Sequence, residues 1–252
     1  CAGYTGKPNV DACEFDKGNC LDGNSVLPGV IREVCEELGI TWGHVSSGCI
    51  FSGERPGGGG WKEEDAPNFS FRKPPCSFYS GTKALGEEIL GWSEGDPSGE
   101  CLKWVHESES SGYVWRLRIP FNEEDSSRNY LSKLQRYDRL LDARNSLSQL
   151  DDFVKACIDC WMKRVPLGIY NVTNPGSVTA REVIEFIKNA GVSKKEFSFF
   201  ETEEEFMSKA TIAPRSNCVL DSTKLAGAGI IVRPVKEALE YSLANWKKEI
   251  FI

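Results

Sequence analysis

VSSGCIFSG (residues 45–53), WKEEDAPNFS (61–70) and SFYSGTK (77–83) decide how this chain is read. The first stretch places Ser47 at the end of an apolar strand, with Cys49 two residues on; the third places Tyr79 and Lys83 four apart. With Tyr79 opening a helix, Lys83 lies one turn along on the same face. An ammonium there lowers the phenol's pKa by opposing charge, so Tyr79 exchanges a proton with a carbonyl oxygen near neutrality. Ser47 holds that oxygen by a hydrogen bond. Carbonyl reduction needs this set, with the hydride coming from a bound nicotinamide. A lone Tyr-x-x-x-Lys means little in a chain with seven tyrosines. The ordered combination of strand-end Ser, Pro-bearing loop and helix-opening Tyr and Lys means far more.

Working outward, residues 24–38 carry Val30, Ile31, Val34, Cys35 and Leu38 at helical spacing, with Gly39 as the stop and Pro28 in the first turn or at a kink. Residues 40–47 read as a buried strand and 54–77 as loop. The four glycines at 57–60 have no strand directly before them and no helix directly after, so they form a flexible loop rather than a phosphate cradle. A helix over 79–92 turns Ala84, Leu85, Ile89 and Leu90 inward. Residues 93–112 are polar turn-formers around a short apolar patch, a surface insertion. A strand at 113–120 and a helix at 128–137 carrying Lys133 follow. The helix at 150–163 turns Phe153, Val154, Cys157, Ile158 and Trp161 inward, and a strand at 168–173 closes on Asn174, Pro175 and Gly176. Thr179 with Glu182 and Thr202 with Glu205 spell capping boxes. Pro234 suits the first position of the last helix, where Leu239, Leu243 and Trp246 repeat at helical spacing.

Alternating strands and helices make this an α/β chain with a doubly wound parallel sheet of Rossmann type. Such sheets bind dinucleotides at a glycine-rich turn after their first strand, and that turn is missing. The expectation is a chain truncated at its N-terminus, lacking the first strands. Residues 1–120, rejoined by 149–174, form the partial NAD(P)-binding domain, and 121–148 with 175–252 form a smaller C-terminal substrate domain. A net charge of −7 without a basic block argues against nucleic acid or an anionic membrane. No apolar run approaches a membrane span, and no signal peptide opens the chain. Ten cysteines are many, but most sit inside periodic segments as small hydrophobes, including the Cys157/Cys160 pair, and no metal site is expected. The compartment reads as reducing and cytoplasmic. His44 and His106 have no evident catalytic partner and read as structural.

GYTGKPNVDACE, SSGCIF, GWKEEDAPNF, FYSGTK, LRIP, RNYLSK, YNVTNPG and APRSNCVLDSTKL run in this order along almost the whole chain. Together they resemble the bifunctional nucleotide-rhamnose synthases, epimerase-reductases similar to dTDP-4-dehydrorhamnose reductase within the extended short-chain dehydrogenase/reductase family. The resemblance implies conversion of a UDP- or dTDP-linked 4-keto-6-deoxyglucose to the L-rhamnose nucleotide with NADPH or NADH, either fused to or working with a 4,6-dehydratase. It places Ser47, Tyr79 and Lys83 in the reductase triad, and Cys49 and Lys133 as the pair that shuttles protons during epimerisation. It places Ala2 and Gly3, with Tyr79 and Lys83, along the cofactor, and Asn129 and Arg215 against the substrate. The insertion at 93–112, the longer FRKPP before Tyr79 and the NSVLPG segment depart from the pattern.

The chemistry of the residues points the same way. Inverting ring carbons beside a ketone means removing a proton and returning one on the other face, and the groups that polarise the ketone also stabilise the enolate. An acid/base pair on the ring is the added need. A thiol suits it because its pKa lies near neutrality, and on a strand Cys49 points to the same side as Ser47. Two readings stand beside this one: a monofunctional 4-reductase with an idle Cys49, and a non-catalytic binding member of the same fold.

Overall fold

The computed structural model describes residues 3–94, 102–104 and 111–247. A 3₁₀ turn (Val10–Glu14), α1 (Lys17–Leu21), a π-type turn (Asp22–Val26) and α2 (Leu27–Glu37) precede β1 (Trp42–Ser47). After the long loop comes α3 (Phe78–Ile89), then β2 (Trp92–Glu94) and β3 (Leu102–Trp104), which pair antiparallel. The insertion is therefore a hairpin in part; residues 95–101 and 105–110, with His106, lie outside the described residues. β4 (Gly112–Leu117), β5 (Pro120–Phe121), α4 (Tyr130–Arg136), β6 (Arg139–Leu140) and β7 (Ser148–Gln149) follow. The chain then runs through α5 (Leu150–Met162), β8 (Gly168–Asn171), α6 (Ala180–Asn189), β9 (Ser198–Phe199), α7 (Glu203–Ala210), α8 (Thr223–Gly227) and α9 (Val235–Ala244).

β1, β4 and β8 form a parallel sheet in that order, with Val45 beside Trp115 and Arg116 beside Asn171. Alternation along β4 sorts the two faces. Tyr113, Trp115 and Leu117 pack with Phe153, Ala156 and Cys160 of α5 on one side. Val114 packs with Trp42, Ile169 and Leu90 on the other, the side of α3. A parallel sheet is buried on both faces, which is why β8 reads as an unbroken buried run. A separate apolar core joins Phe121, Leu131, Leu134, Leu140 and Leu147 to Val178, Val183, Ile187, Leu239 and Leu243.

Two helices bury a different face from the one their periodicity suggests. In α2 the apolar stripe is open, with Val30, Ile31, Val34 and Leu38 between 41 % and 66 % exposed. The covered side runs through Asn24, Ser25 and Pro28, because α3 approaches there almost backbone to backbone. A Cβ on Gly86 would stand 2.2 Å from the Asn24 carbonyl oxygen, so only glycine allows that approach. In α5, Phe153, Ala156 and Cys160 go inward while Val154, Ile158 and Trp161 stay exposed. Ile89 of α3 is likewise exposed. These stripes stay about half open to solvent among the described residues.

At the helix starts, Thr179 and Glu182 form a full capping box. Thr202 caps Glu205 N–H, but the Glu205 carboxylate turns to Arg139 and Lys209 instead. Pro234 is the N-cap, one residue before the helix rather than its first position. The loop at 54–77 contains no helix and is pinned by bridges from Gly53 to Cys218 and from Trp61 to Leu220. Gly57, Gly58 and Gly59 turn with positive φ, and a Cβ on Gly60 would stand 2.6 Å from the Leu220 carbonyl carbon. The tetraglycine is therefore an open turn whose last residue, Gly60, rests on the 220–221 backbone.

Candidate active site

The site lies at the carboxyl end of β1, where open parallel sheets place their ligands. The strand stops at Ser47, whose side chain accepts a hydrogen bond from Cys49 N–H at 3.2 Å and so caps a 3₁₀ turn over Gly48–Ile50. Cys49 is therefore on a turn and not on the strand, and the cap, rather than strand alternation, keeps it beside Ser47. Facing it, Ser77 caps α3, accepting from Ser80 N–H at 3.1 Å. That start puts Tyr79 in the first turn and Lys83 in the second. Tyr79 packs on a cluster containing Cys49, Phe51 and Ala84. Ser47 is near enough to the phenol to act on its pKa, though no hydrogen bond joins the two hydroxyls among the described residues.

Burial governs the protonation of every group here. Tyr79 is pushed well above the usual phenol value, first by burial, then by the Cys49 sulfur, with the Ser47 hydroxyl acting the other way. The expected lowering is not found: burial sets the direction, and Lys83 is not among the groups that act on the phenol. Tyr79 is a phenol, not a phenolate, at neutral pH. Cys49 is also raised by burial, against hydrogen bonds from Ser47 and Ser80 and the charges of Arg118 and Lys83. Lys83 is lowered by burial, and its Nζ donates to Val45 O at a long 3.3 Å. His44, half-buried, is pushed down to about 3 by burial and by Lys83, so it is neutral.

Behind Lys83, Asn24 ties the N-terminal segment to α3. Its Oδ1 accepts from Tyr4 N–H at 2.9 Å, and its Nδ2 donates to Tyr4 O at 2.8 Å and to Thr82 Oγ1 at 3.2 Å. Gly3 is thereby held beside the site: a Cβ built on it would lie 3.6 Å from Lys83 Nζ. Ala2 lies outside the described residues.

Lys133 is half-buried on α4, and burial together with Arg128 lowers its pKa. Among the described residues no hydrogen bond links it to Cys49 or to the triad. It stands three residues after Tyr130 on the same helix face, and the charge of Arg118 reaches both Tyr130 and Cys49. Arg118 escaped the sequence reading. It is buried at the end of β4, donates from Nη2 to Asn145 Oδ1 at 2.7 Å, and keeps an Nε–H without a protein partner. Its signal was its place in LRIP at a strand's carboxyl end.

Asn129 and Arg215 are occupied by the protein itself. Asn129 is the N-cap of α4, and its Nδ2 donates to Asn122 O, Asn122 Oδ1 and Glu124 O. Its amide thus holds the 122–129 loop. Arg215 forms a two-pronged ion pair with Asp11 at 2.7 and 2.6 Å, and Asp11 also accepts from the backbone N–H groups of Ile212 and Ala213. This clamp joins the NVDACE and APRSN motifs.

Burial works against the Asp11 carboxylate, but its bonds from Arg215 and the two N–H groups prevail and hold it below the usual range. A depressed carboxylate stabilises the fold fully above its unfolded pKa of about 4, and that contribution is lost as pH falls through the lower folded value. Asp11→Asn is expected to cost about 1–2 kcal/mol at pH 7, partial exposure screening the pair. Urea unfolding of both proteins at pH 7 and pH 3 checks this. The difference should shrink at pH 3, and an undiminished difference there would show that charge is not its cause.

A family model, the RmlD substrate binding domain, matches residues 1–248. A bifunctional dTDP-4-dehydrorhamnose 3,5-epimerase/dTDP-4-dehydrorhamnose reductase of Arabidopsis thaliana is 35 % identical over 243 residues, 94 % of this chain and 73 % of that protein. A trifunctional UDP-glucose 4,6-dehydratase/UDP-4-keto-6-deoxy-D-glucose 3,5-epimerase/UDP-4-keto-L-rhamnose-reductase of the same plant is 33 % identical over 253 residues, 98 % of this chain and 34 % of that protein. Among solved structures, the L780 UDP-rhamnose synthase of Acanthamoeba polyphaga mimivirus superposes with a TM-score of 0.81 at 23 % identity, covering 97 % of this chain and 80 % of that one. A dTDP-4-dehydrorhamnose reductase of Bacillus anthracis, in complex with NADP, gives 0.69 at 19 % identity, covering 98 % and 78 %. At these identities the structures show the Rossmann-type fold.

Proposed function

This chain belongs to the RmlD substrate-binding domain family, and on that premise we propose that it reduces the 4-keto group of a nucleotide-linked 6-deoxyhexose. The observation that carries the reading is the meeting of Ser47, Tyr79 and Lys83 at the end of β1, with Cys49 on the capped turn between them. A nicotinamide, when bound, supplies the hydride. The residues fit such a cofactor. Gly3 leaves open backbone beside Lys83, and the ammonium has only one long protein hydrogen bond among the described residues, leaving donors for a ribose. Ser47 donates to the ketone oxygen and orients it. Tyr79, kept protonated by burial, gives its proton to that oxygen as charge develops there. Lys83 stabilises the phenolate left behind.

We further propose that the same site epimerises the ring before reduction. Groups whose surroundings push their pKa values in opposite directions fall into acid and base roles. Burial keeps Cys49 a thiol, the proton donor, and drives Lys133 toward the neutral amine, the proton acceptor. Supporting this, Lys133 shares a helix face with Tyr130, and the Arg118 charge spans Tyr130 and Cys49. Ser47 and Tyr79 stabilise the enolate oxygen between the two proton transfers.

Incubation with NADPH and UDP- or dTDP-4-keto-6-deoxyglucose tests the reading. The expected result is oxidation of the cofactor together with appearance of the L-rhamnose nucleotide. A 6-deoxyhexose of unchanged ring configuration would leave the reductase reading alone, and absence of turnover with both nucleotides would overturn both.

A further inference from the structure

No other described ion pair is as deeply buried as Glu87–Arg116, whose side chains are 1 % and 0 % exposed. Glu87 Oε2 accepts from Arg116 Nη2 at 2.6 Å, and Oε1 accepts from Arg116 Nε at 3.0 Å and from Ser46 Oγ at 2.5 Å. The guanidinium lies 5.2 Å over the Phe51 ring. Its Nη1 has no protein partner, nor has Oδ1 of Asn171, its register neighbour on β8. Desolvating two charges so completely is a poor way to stabilise a core. Apolar side chains of similar volume do as well or better. The pair calls for another explanation, and its position offers one.

Glu87 is four residues after Lys83, one turn along the same face of α3. Lys83 is itself buried with a single weak hydrogen bond, conditions that favour the neutral amine. The titratable groups facing it are Tyr79 and Glu87 on its own helix, Cys20 on α1, Cys49 after β1 and His44 on β1. Cys49, Glu87 and Cys20 favour the ammonium, and Glu87 is the one carboxylate among them. Arg116 grips that carboxylate from β4 through Nε and Nη2. The geometry is that of a carboxylate held rigid by one cation while its field acts on another.

We propose that Glu87, gripped by Arg116 and Ser46, is a positioning residue that keeps Lys83 an ammonium beside Tyr79. This rests on the reading of Lys83 as the partner of Tyr79, and its test does not depend on turnover. The double variant Glu87→Gln/Arg116→Met leaves no unpaired buried charge and is expected to stay folded by urea titration. Peptide-resolved acetylation of Lys83 with acetic anhydride, run across pH without substrate, reads the amine directly. Its midpoint is expected to fall by at least about one pH unit, making the neutral amine about tenfold more abundant at a given pH. The alkaline limb of the reduction rate should move down with it. Ser46→Ala, which loosens the grip and keeps both charges, should move the midpoint in the same direction by less. An unmoved midpoint in the folded double variant, or a double variant that does not fold, would overturn the proposal and make the pair structural. A moved midpoint in a chain that reduces no 4-ketosugar would uphold it while the functional reading failed.

Discussion

Tyr79→Phe is expected to slow ketone reduction by about two to four powers of ten, the usual range for losing a positioned proton donor. The phenylalanine ring fills the same place against the cluster that holds Cys49, Phe51 and Ala84, so the fold should persist. What disappears is the proton for the developing alkoxide. Ser47 still donates one hydrogen bond, and Lys83 then has no phenol to work through. Because burial holds the Tyr79 proton well above neutrality, the wild-type rate should not fall through pH 6 to 8 for want of that proton. Stopped assays of NADPH oxidation with wild type and variant, with a urea titration of each, settle the matter. A rate within a few fold of wild type in a folded variant would remove Tyr79 from the mechanism.

The parts of the site legible in sequence are those set by short-range geometry. Tyr79 and Lys83 are one helical turn apart, and Ser77 three residues before Ser80 marks the helix start with its own cap. Ser47 could be placed at a strand end because the apolar run stops there. What required the third dimension is what depends on who covers whom. Lys83 alone suggests a lowered Tyr79 pKa; burial, with Cys49 second, sets the opposite direction. Glu87 and Arg116 lie 29 residues apart, and no local pattern marks either as the other's partner. The stripe on α2 is visible as a period, yet a period does not say which face meets a neighbour. Asn24, Ser25 and Gly86 decide that by letting two backbones close. Arg215 could be assigned a polar role from APRSN but not its partner Asp11, 204 residues away.

Cys49→Ala and Lys133→Met are expected to separate epimerisation from reduction and to fail in different ways. Inversion at a carbon beside the 4-keto group takes a proton from one face and returns one to the other. If the Lys133 amine accepts the first and the Cys49 thiol gives the second, each turnover leaves an ammonium and a thiolate that solvent must reset. Without Lys133 no ring proton leaves, so in deuterated water the unepimerised ketone should take up no label. Without Cys49 the enolate still forms under Ser47 and Tyr79, but only Lys133 can reprotonate it, from the face it came from. Label should then enter with retained configuration, while inverted product falls by at least about a hundredfold. Both variants should reduce a nucleotide substrate already in the 4-keto-L-rhamnose configuration at close to the wild-type rate, since the triad is untouched. Mass spectrometry and proton NMR of the isolated sugars read each outcome. Wild-type inversion in Cys49→Ala would leave a plain 4-reductase. Equal loss of reduction in both variants would mean that these residues serve the ketone and not the ring.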